Sequence, residues 1–181
     1  MRKLILFLFV LVLILTGAAG AVVWYVQPTR ALDLQYEKLS VPDKIAEMVQ
    51  RRTMELRLTE ADMNNLIKAS MAGRTNLPHD LQLTGVSAEQ QGELLIVDAN
   101  VLWRDAIAAG TTLTYRMSYS EPDLILTRES VRIKGYEIPP GWLQTATEFR
   151  YNLYDKLPKL IGIQGVAFGE NDLRIGLKLL R

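Results

Sequence analysis

Cysteine is absent from the chain, and histidine occurs once, at His79. The first absence excludes disulfides, a thiol nucleophile and thiolate metal sites, and with them a lipoprotein anchor. An exported domain without disulfides has to be held by packing alone. The second leaves a single side chain that titrates near neutrality. It sits in a Pro-flanked loop beside Asp80, where a solvated loop residue is a sounder reading than a catalytic one. No G-x-S-x-G, H-E-x-x-H, Walker or G-x-G-x-x-G pattern occurs. An excess of one charge is missing too. Two of the 21 basic residues, Arg2 and Lys3, precede the long apolar run that opens the chain, leaving 19 against 20 beyond it. That balance argues against nucleic acid and against a polybasic grip on lipid headgroups. No repeat of fixed period and no low-complexity segment is present.

What the chain does have is one long apolar run, residues 4–26, free of charge and of proline. As a helix rising ~1.5 Å per residue it spans roughly 34 Å, enough to cross a bilayer core with some tilt. Trp24 and Tyr25 stand at its far end, where amphipathic rings favour the headgroup zone, and Arg2 and Lys3 hold the near end in the cytoplasm. The competing reading is a cleaved signal peptide with Ala19-Gly20-Ala21 as its cleavage site. Against it, Val22, Val23, Trp24, Tyr25 and Val26 would make a greasy mature N-terminus. The sequence thus divides into a single-pass anchor at 1–27, a juxtamembrane stalk with a short helix at 28–52, and an extracytoplasmic domain at 53–181. By the anchor reading, the first partner of this protein is the cell membrane.

The stalk begins at Pro28, and its mixed polarity reads as a linker or a loose juxtamembrane helix. Ser40-Val41-Pro42-Asp43 looks like a helix entry, with Ile45, Met48 and Val49 as an apolar stripe. Residues 53–58 alternate as a half-buried strand. Thr59 then caps a helix with Met63, Leu66, Ile67 and Met71 on one face and Gly73 as its stop. Asn64 and Asn65 inside that helix are poor formers that need tertiary support. From Leu81 the period is two. Strands 81–90 and 93–103 form a hairpin about Gln91-Gly92, with a bulge near Gly85. On the second of these, Leu94 and Ile96 share a face with Asp98 and Asn100, as if the apolar end were covered and the polar end wet. Strand 110–120 turns through Glu121-Pro122-Asp123 into 124–134, with a slip between Leu126 and Val131. Residues 136–141 then start the longest soluble helix, with Trp142, Ala146, Phe149, Leu153 and Leu157 on one stripe. Strands 163–168 and 173–179 close the chain. The sum is roughly seven mostly antiparallel strands with one short and one long helix, an α+β domain.

Acidic candidates have structural roles to hand. Glu60 and Asp62 suit the first turn of a helix, Asp98 and Asn100 are too few for a hard cation, and Arg104-Asp105 reads as a solvated ion pair at a strand end. No catalytic residue, metal site or cofactor is therefore assigned.

The run from Leu58 to Ile67 (LTEADMNNLI), with Ser130-Val131-Arg132-Ile133-Lys134-Gly135 leading into Ile138-Pro139-Pro140, resembles the YpmS-like family of small bacterial membrane proteins. The resemblance implies the same layout and no known activity. By overall pattern the chain is also similar to TULIP-like lipid-binding domains, in which a curved antiparallel sheet wraps a long helix. That likeness implies that residues 142–157 form the wrapped helix. Tyr115, Met117 and Tyr119 share a strand face. A core-facing strand is the plain reading of that face. The sharper one is an adaptable wall for acyl chains, facing Trp142, Ala146 and Phe149. Two functions follow: a membrane-anchored binding module for lipid or another apolar envelope molecule, or a protein-interaction module of an envelope membrane complex. An envelope hydrolase is the weakest class, because clustered acids are not in sight. The charge pattern predicts a topology. Protease added to intact spheroplasts is expected to remove a C-terminal tag, and full protection of the tag would reverse the assignment.

Overall fold

The computed structural model describes residues 2–40, 44, 48, 50, 53–139, 147–157 and 161–179, of which 2–5 and 156 are described by backbone alone. The apolar run is one helix, α1 (Arg2–Val26). Over Leu6–Val26 it is long and apolar enough to cross a membrane, and none of it is buried. Its one aliphatic hydroxyl is consumed locally, as Thr16 Oγ1 donates to the carbonyls of Val12 and Leu13 at 2.9 and 3.0 Å. Such an arrangement leaves no unmet donor toward lipid.

The soluble part is an α+β fold built on two antiparallel sheets. Strand β1 (Glu55–Thr59) runs straight into α2 (Glu60–Ala72), and Thr59 forms a reciprocal capping box with Asp62. The Asp62 amide donates to Thr59 Oγ1 at 3.3 Å and the Thr59 amide returns to Asp62 Oδ2 at 2.8 Å. Burial works against the Asp62 charge, but the Lys44 ammonium and the Thr59 donors outweigh it and hold the carboxyl below its usual range. The short helix expected at 42–50 falls mostly outside the described residues, where Lys44, Met48 and Gln50 are helical.

The large sheet follows: β2 (Asn76–Leu77), β3 (Leu81–Gln91), β4 (Leu94–Trp103), β5 (Ile107–Ser120), β6 (Asp123–Ile133) and β7 (Tyr136–Glu137), neighbours in that order. Both anticipated register slips are present. One lies between Leu83 and Gly85, and one leaves Glu129 unpaired between Arg128 and Ser130. The long late helix is not what residues 148–157 form. Glu148–Asn152 is a strand, β8, paired with β6, and Leu153–Lys156 is a single turn of 3-10 helix. The reason is legible in retrospect: Glu148, Phe149, Arg150, Tyr151 and Asn152 alternate polar with aromatic. That alternation suits a strand edge, while the helical stripe through 149, 153 and 157 was a coincidence of spacing. Trp142 and Ala146 lie outside the described residues.

Strands β9 (Ile161–Phe168) and β10 (Asp172–Leu179) join β1 in the small sheet, in the order β1-β10-β9. The small sheet and α2 close over one face of the large sheet. Met63, Ala88, Leu95, Met117, Ile163, Leu173, Ile175 and Leu177 make the shared core. Met63 and Ile67 supply the inward face of α2, whereas Leu66, also expected inside, is 41 % exposed. It falls a third of a turn away from Ile67, past the edge of the contact.

Two polar joints lock the sheets at the far end. Gln90, 1 % exposed, donates its amide to the carbonyls of Gly92, Gly169 and Asp172 at 3.0, 3.1 and 2.9 Å. Asp172 is likewise buried and pairs with Arg57 and Arg174. Those two arginines face each other across β1 and β10, so the carboxylate between them converts a repulsive cross-strand pair into a bridge. Burial opposes the Asp172 charge, yet the two guanidinium groups hold its carboxyl below 3.8. A lowered folded-state pKa stabilises above the unfolded value and is lost as pH falls through the folded one. Asp172→Asn is therefore expected to lose about 1–2 kcal/mol at pH 6 in urea unfolding, both arginines being half-exposed. The gap to wild type should close as the pH is taken below 3.8; a gap independent of pH would mean that shape, not charge, is what matters there.

Candidate functional site

The face of β5 that carries Tyr115, Met117 and Tyr119 points at the small sheet, and its three residues have different fates. Met117 is 2 % exposed and belongs to the closed core. Tyr115 and Tyr119 pack at its margin. Register sets their neighbours. Met117 lies opposite Leu126, which lies opposite Phe149; Tyr119 lies opposite Leu124, which lies opposite Tyr151. Phe149 thus reaches the wall from β8 rather than from a helix. Its ring meets Tyr115 edge-on, with centroids 6.0 Å apart at 66°. Phe149 and Tyr151 are 38 and 51 % exposed, so an aromatic strip continues the core outward past the point where the small sheet stops.

Burial raises the phenols of Tyr115 and Tyr119 above 10.0, so both stay neutral. The Tyr119 hydroxyl is buried without a hydrogen-bond partner among the described residues. Tyr154 frames the strip from the 3-10 turn. Its hydroxyl donates to Glu121 Oε1 at 2.7 Å and accepts the Ile163 amide at 3.3 Å. Chemically this is a surface for apolar contact. Among the described residues no three His, Asp or Glu side chains group as metal ligands.

The opposite face of the same sheet holds what the sequence reading missed. Residues 27–37 are neither a free linker nor a helix; they cross the strands as a strap without regular secondary structure. The strap covers the polar end of that face, not the apolar one. The Arg30 guanidinium pairs with Asp98, Asn100 Nδ2 donates to the Arg30 carbonyl at 2.7 Å, and Thr112 Oγ1 donates to Asp98 Oδ1 at 2.6 Å. Asp98 and Asn100 hold the chain's own leash. At Gly85 an added Cβ would stand 2.2 Å from the backbone of Leu32, and at Gly110 another would stand 3.0 Å from the Cα of Pro28. Glycine inside a strand commonly marks such a close approach, and that was the available signal. Past Gly85 the strap turns the edge of β3. The Val86 amide donates to the Asp33 carbonyl at 3.1 Å, and Lys68 of α2 reaches the Asp33 carboxylate at 2.8 Å. The Lys68 ammonium and the Gln35 amide hold that carboxyl below its ordinary range.

The chain matches no family model, no curated protein and no solved structure. The sites are therefore judged on geometry. His79 and Asp80 occupy a left-handed turn with φ of 65° and 57° at the rim of a wide polar cavity that also includes Arg104 and Asp105. Arg104 pairs with Asp80 at 3.4 Å and stacks over Trp103 at 5.0 Å, so the ion pair read within Arg104-Asp105 is made across the two turns instead. A second cavity, of about 350 Å³, lies beneath the strap between Gln27, Thr29, Arg30, Asn100 and Lys134.

The strap yields a direct test. Gly85→Val should drive the Leu32 backbone off the sheet and cost about 1–3 kcal/mol, with loss of hydrogen-exchange protection at the Val86 amide. Gly165→Ala, where an added Cβ meets nothing within 4 Å, should leave that amide protected. Equal protection in both variants would remove the strap from the structural account.

Proposed function

We propose that this chain is a membrane-anchored extracytoplasmic module that binds lipid or another apolar envelope molecule without turning it over. The observation that carries the reading is the aromatic strip Tyr115–Phe149–Tyr151, half-open at the edge of a closed core. Rings at this exposure bury readily against an alkyl chain, at ~0.8 kcal/mol per CH₂ covered, before the cost of ordering the ligand. Met117 is not part of the contact surface in this reading; it is the floor on which the strip rests. The apolar helix α1, retained as a single-pass anchor with its N-terminus inside, keeps the strip close to a lipid source. The likeness to TULIP-like lipid binders lends no support, because the wrapped helix it implied gives way to β8 and a 3-10 turn over residues 148–156. The polar candidates support a non-catalytic role, since Asp62 is engaged in a helix cap and Asp98 in holding the strap.

One observation favours the interaction module as a second reading: every residue of β8 is exposed, and a strand of that kind can accept another chain along its edge. A single experiment separates the two. A photo-crosslinking p-benzoylphenylalanine is placed at Tyr151 of the full chain in native membranes, with Arg150, on the opposite face of β8, as control. A lipid-sized mass increase at Tyr151 above the Arg150 control is the expected result. A protein adduct transfers the assignment to the interaction module, and no adduct above control overturns the apolar-ligand reading.

A further inference from the structure

The foot of α1 meets the domain at the β6–β7 turn. Lys134 stands there with its backbone in the left-handed region, φ 53°, and its ammonium lies 5.9 Å from the centre of the Trp24 ring and 5.3 Å from that of Tyr25. Tyr25 also closes on the same turn, its hydroxyl 4.0 Å from where a Gly135 Cβ would be. No ion pair among the described residues includes Lys134, although acids are near. Glu137 on the same hairpin is taken by Arg132 at 3.3 Å, and Asp98 in the cavity wall is taken by Arg30. Lys134 also lines the cavity beneath the strap, with Gln27, Thr29 and Arg30 of the strap and Asp98, Asn100, Thr111 and Thr112 of the sheet. Its charge has no carboxylate partner there, the one acid of the lining being paired with Arg30.

We infer that Lys134, with Gln27, Thr29 and Arg30, forms a site for the phosphate of a phospholipid headgroup at the foot of α1. Three features converge on that ligand. Trp24 and Tyr25 end the apolar run at the depth where headgroups lie. An ammonium held against two ring faces keeps its N–H groups available, because a ring attracts the charge without accepting all the donors. The chamber of about 350 Å³ admits a phosphodiester with its hydration, while the acyl chains of the same lipid remain beside α1. This site lies toward the other end of β6 from the aromatic strip: six residues separate Lys134 from Arg128, opposite Tyr115, and ten from Leu124, opposite Tyr151, roughly 20 and 33 Å at ~3.3 Å per residue. It is a docking site for bilayer lipid rather than the cargo surface. The inference rests on α1 being a retained anchor.

The test uses the full chain purified in detergent and titrated with phosphatidylglycerol, with bound lipid counted by native mass spectrometry. Lys134→Gln should weaken lipid binding about fivefold, the contribution of one cation near an anionic surface. Lys134→Arg should retain it, and Lys178→Gln, an exposed position of β10, should not change it. Equal affinity in wild type and Lys134→Gln overturns the site. Displacement of the lipid by inorganic phosphate at matching concentration would assign it to free phosphate and overturn the lipid source. Alkaline carbonate extraction of membranes holding the wild-type chain is run alongside. Release into the soluble fraction overturns the anchor reading, whereas retention with an unaffected Lys134→Gln overturns the site alone.

Discussion

An unpaired strand edge has to be closed, and the closing of β3 organises this domain. β2 pairs with only its first residues, so the amides beyond depend on whatever else can reach them. Three unrelated segments supply acceptors: Thr75 O for Leu83 at 2.7 Å, Asp33 O for Val86 at 3.1 Å, and the Asn64 side chain for Ala88 at 3.0 Å. Leaving one such donor buried and unmet costs about 1–3 kcal/mol. The strap, α2 and the approach to β2 are therefore brought to one line by backbone chemistry before their side chains are considered. Asn65 continues the pattern by taking the Glu37 amide at 3.3 Å.

The consecutive asparagines illustrate how much could be read from sequence and where it stopped. Their poor helix propensity showed that something outside the helix had to use them, but propensity is blind to which strand or loop that would be. Local signals were otherwise reliable where they are set by local physics. The Thr59 cap, the bulge before Gly85, the slip between Leu126 and Val131 and the closing hairpin all follow from alternation and capping. The failures share a cause: each concerned a segment whose conformation is fixed by a distant partner. β8 is a strand because β6 offers it an edge, and the strap is held to its course because a sheet lies beneath it. Phe149 fitted a helical stripe and an alternating one equally well, and only the partner strand decided. In the candidate wall, the sequence placed Tyr115 and Met117 on one face correctly, yet could not tell the residue that fills the core from the one at its margin.

The two faces of the large sheet divide the work by polarity. One is covered by a small sheet, held at its far end by Gln90 and Asp172, and among the described residues it opens at the aromatic margin near β8. The other is polar at one end, where Asp98 and Asn100 hold the chain's own N-terminal segment. The chain has no disulfides. Buried amide and ion-pair joints at the ends of the sheets take their place, and each is satisfied by groups far apart in sequence.

The strap also alters the arithmetic of encounter. A free tether of this length would let the domain sample a broad hemisphere and would dilute its binding face accordingly. Here the segment is already fastened to the sheet at Arg30, Leu32 and Asp33, so only a few residues separate the last turn of α1 from the first fastening. With α1 in a bilayer, the aromatic margin is carried at a set height and moves chiefly by rotation and lateral diffusion of the whole molecule. On the proposed binding reading, its targets would thereby be confined to a thin shell above the membrane, where a weak contact is revisited often and a molecule outside the shell is not met at all.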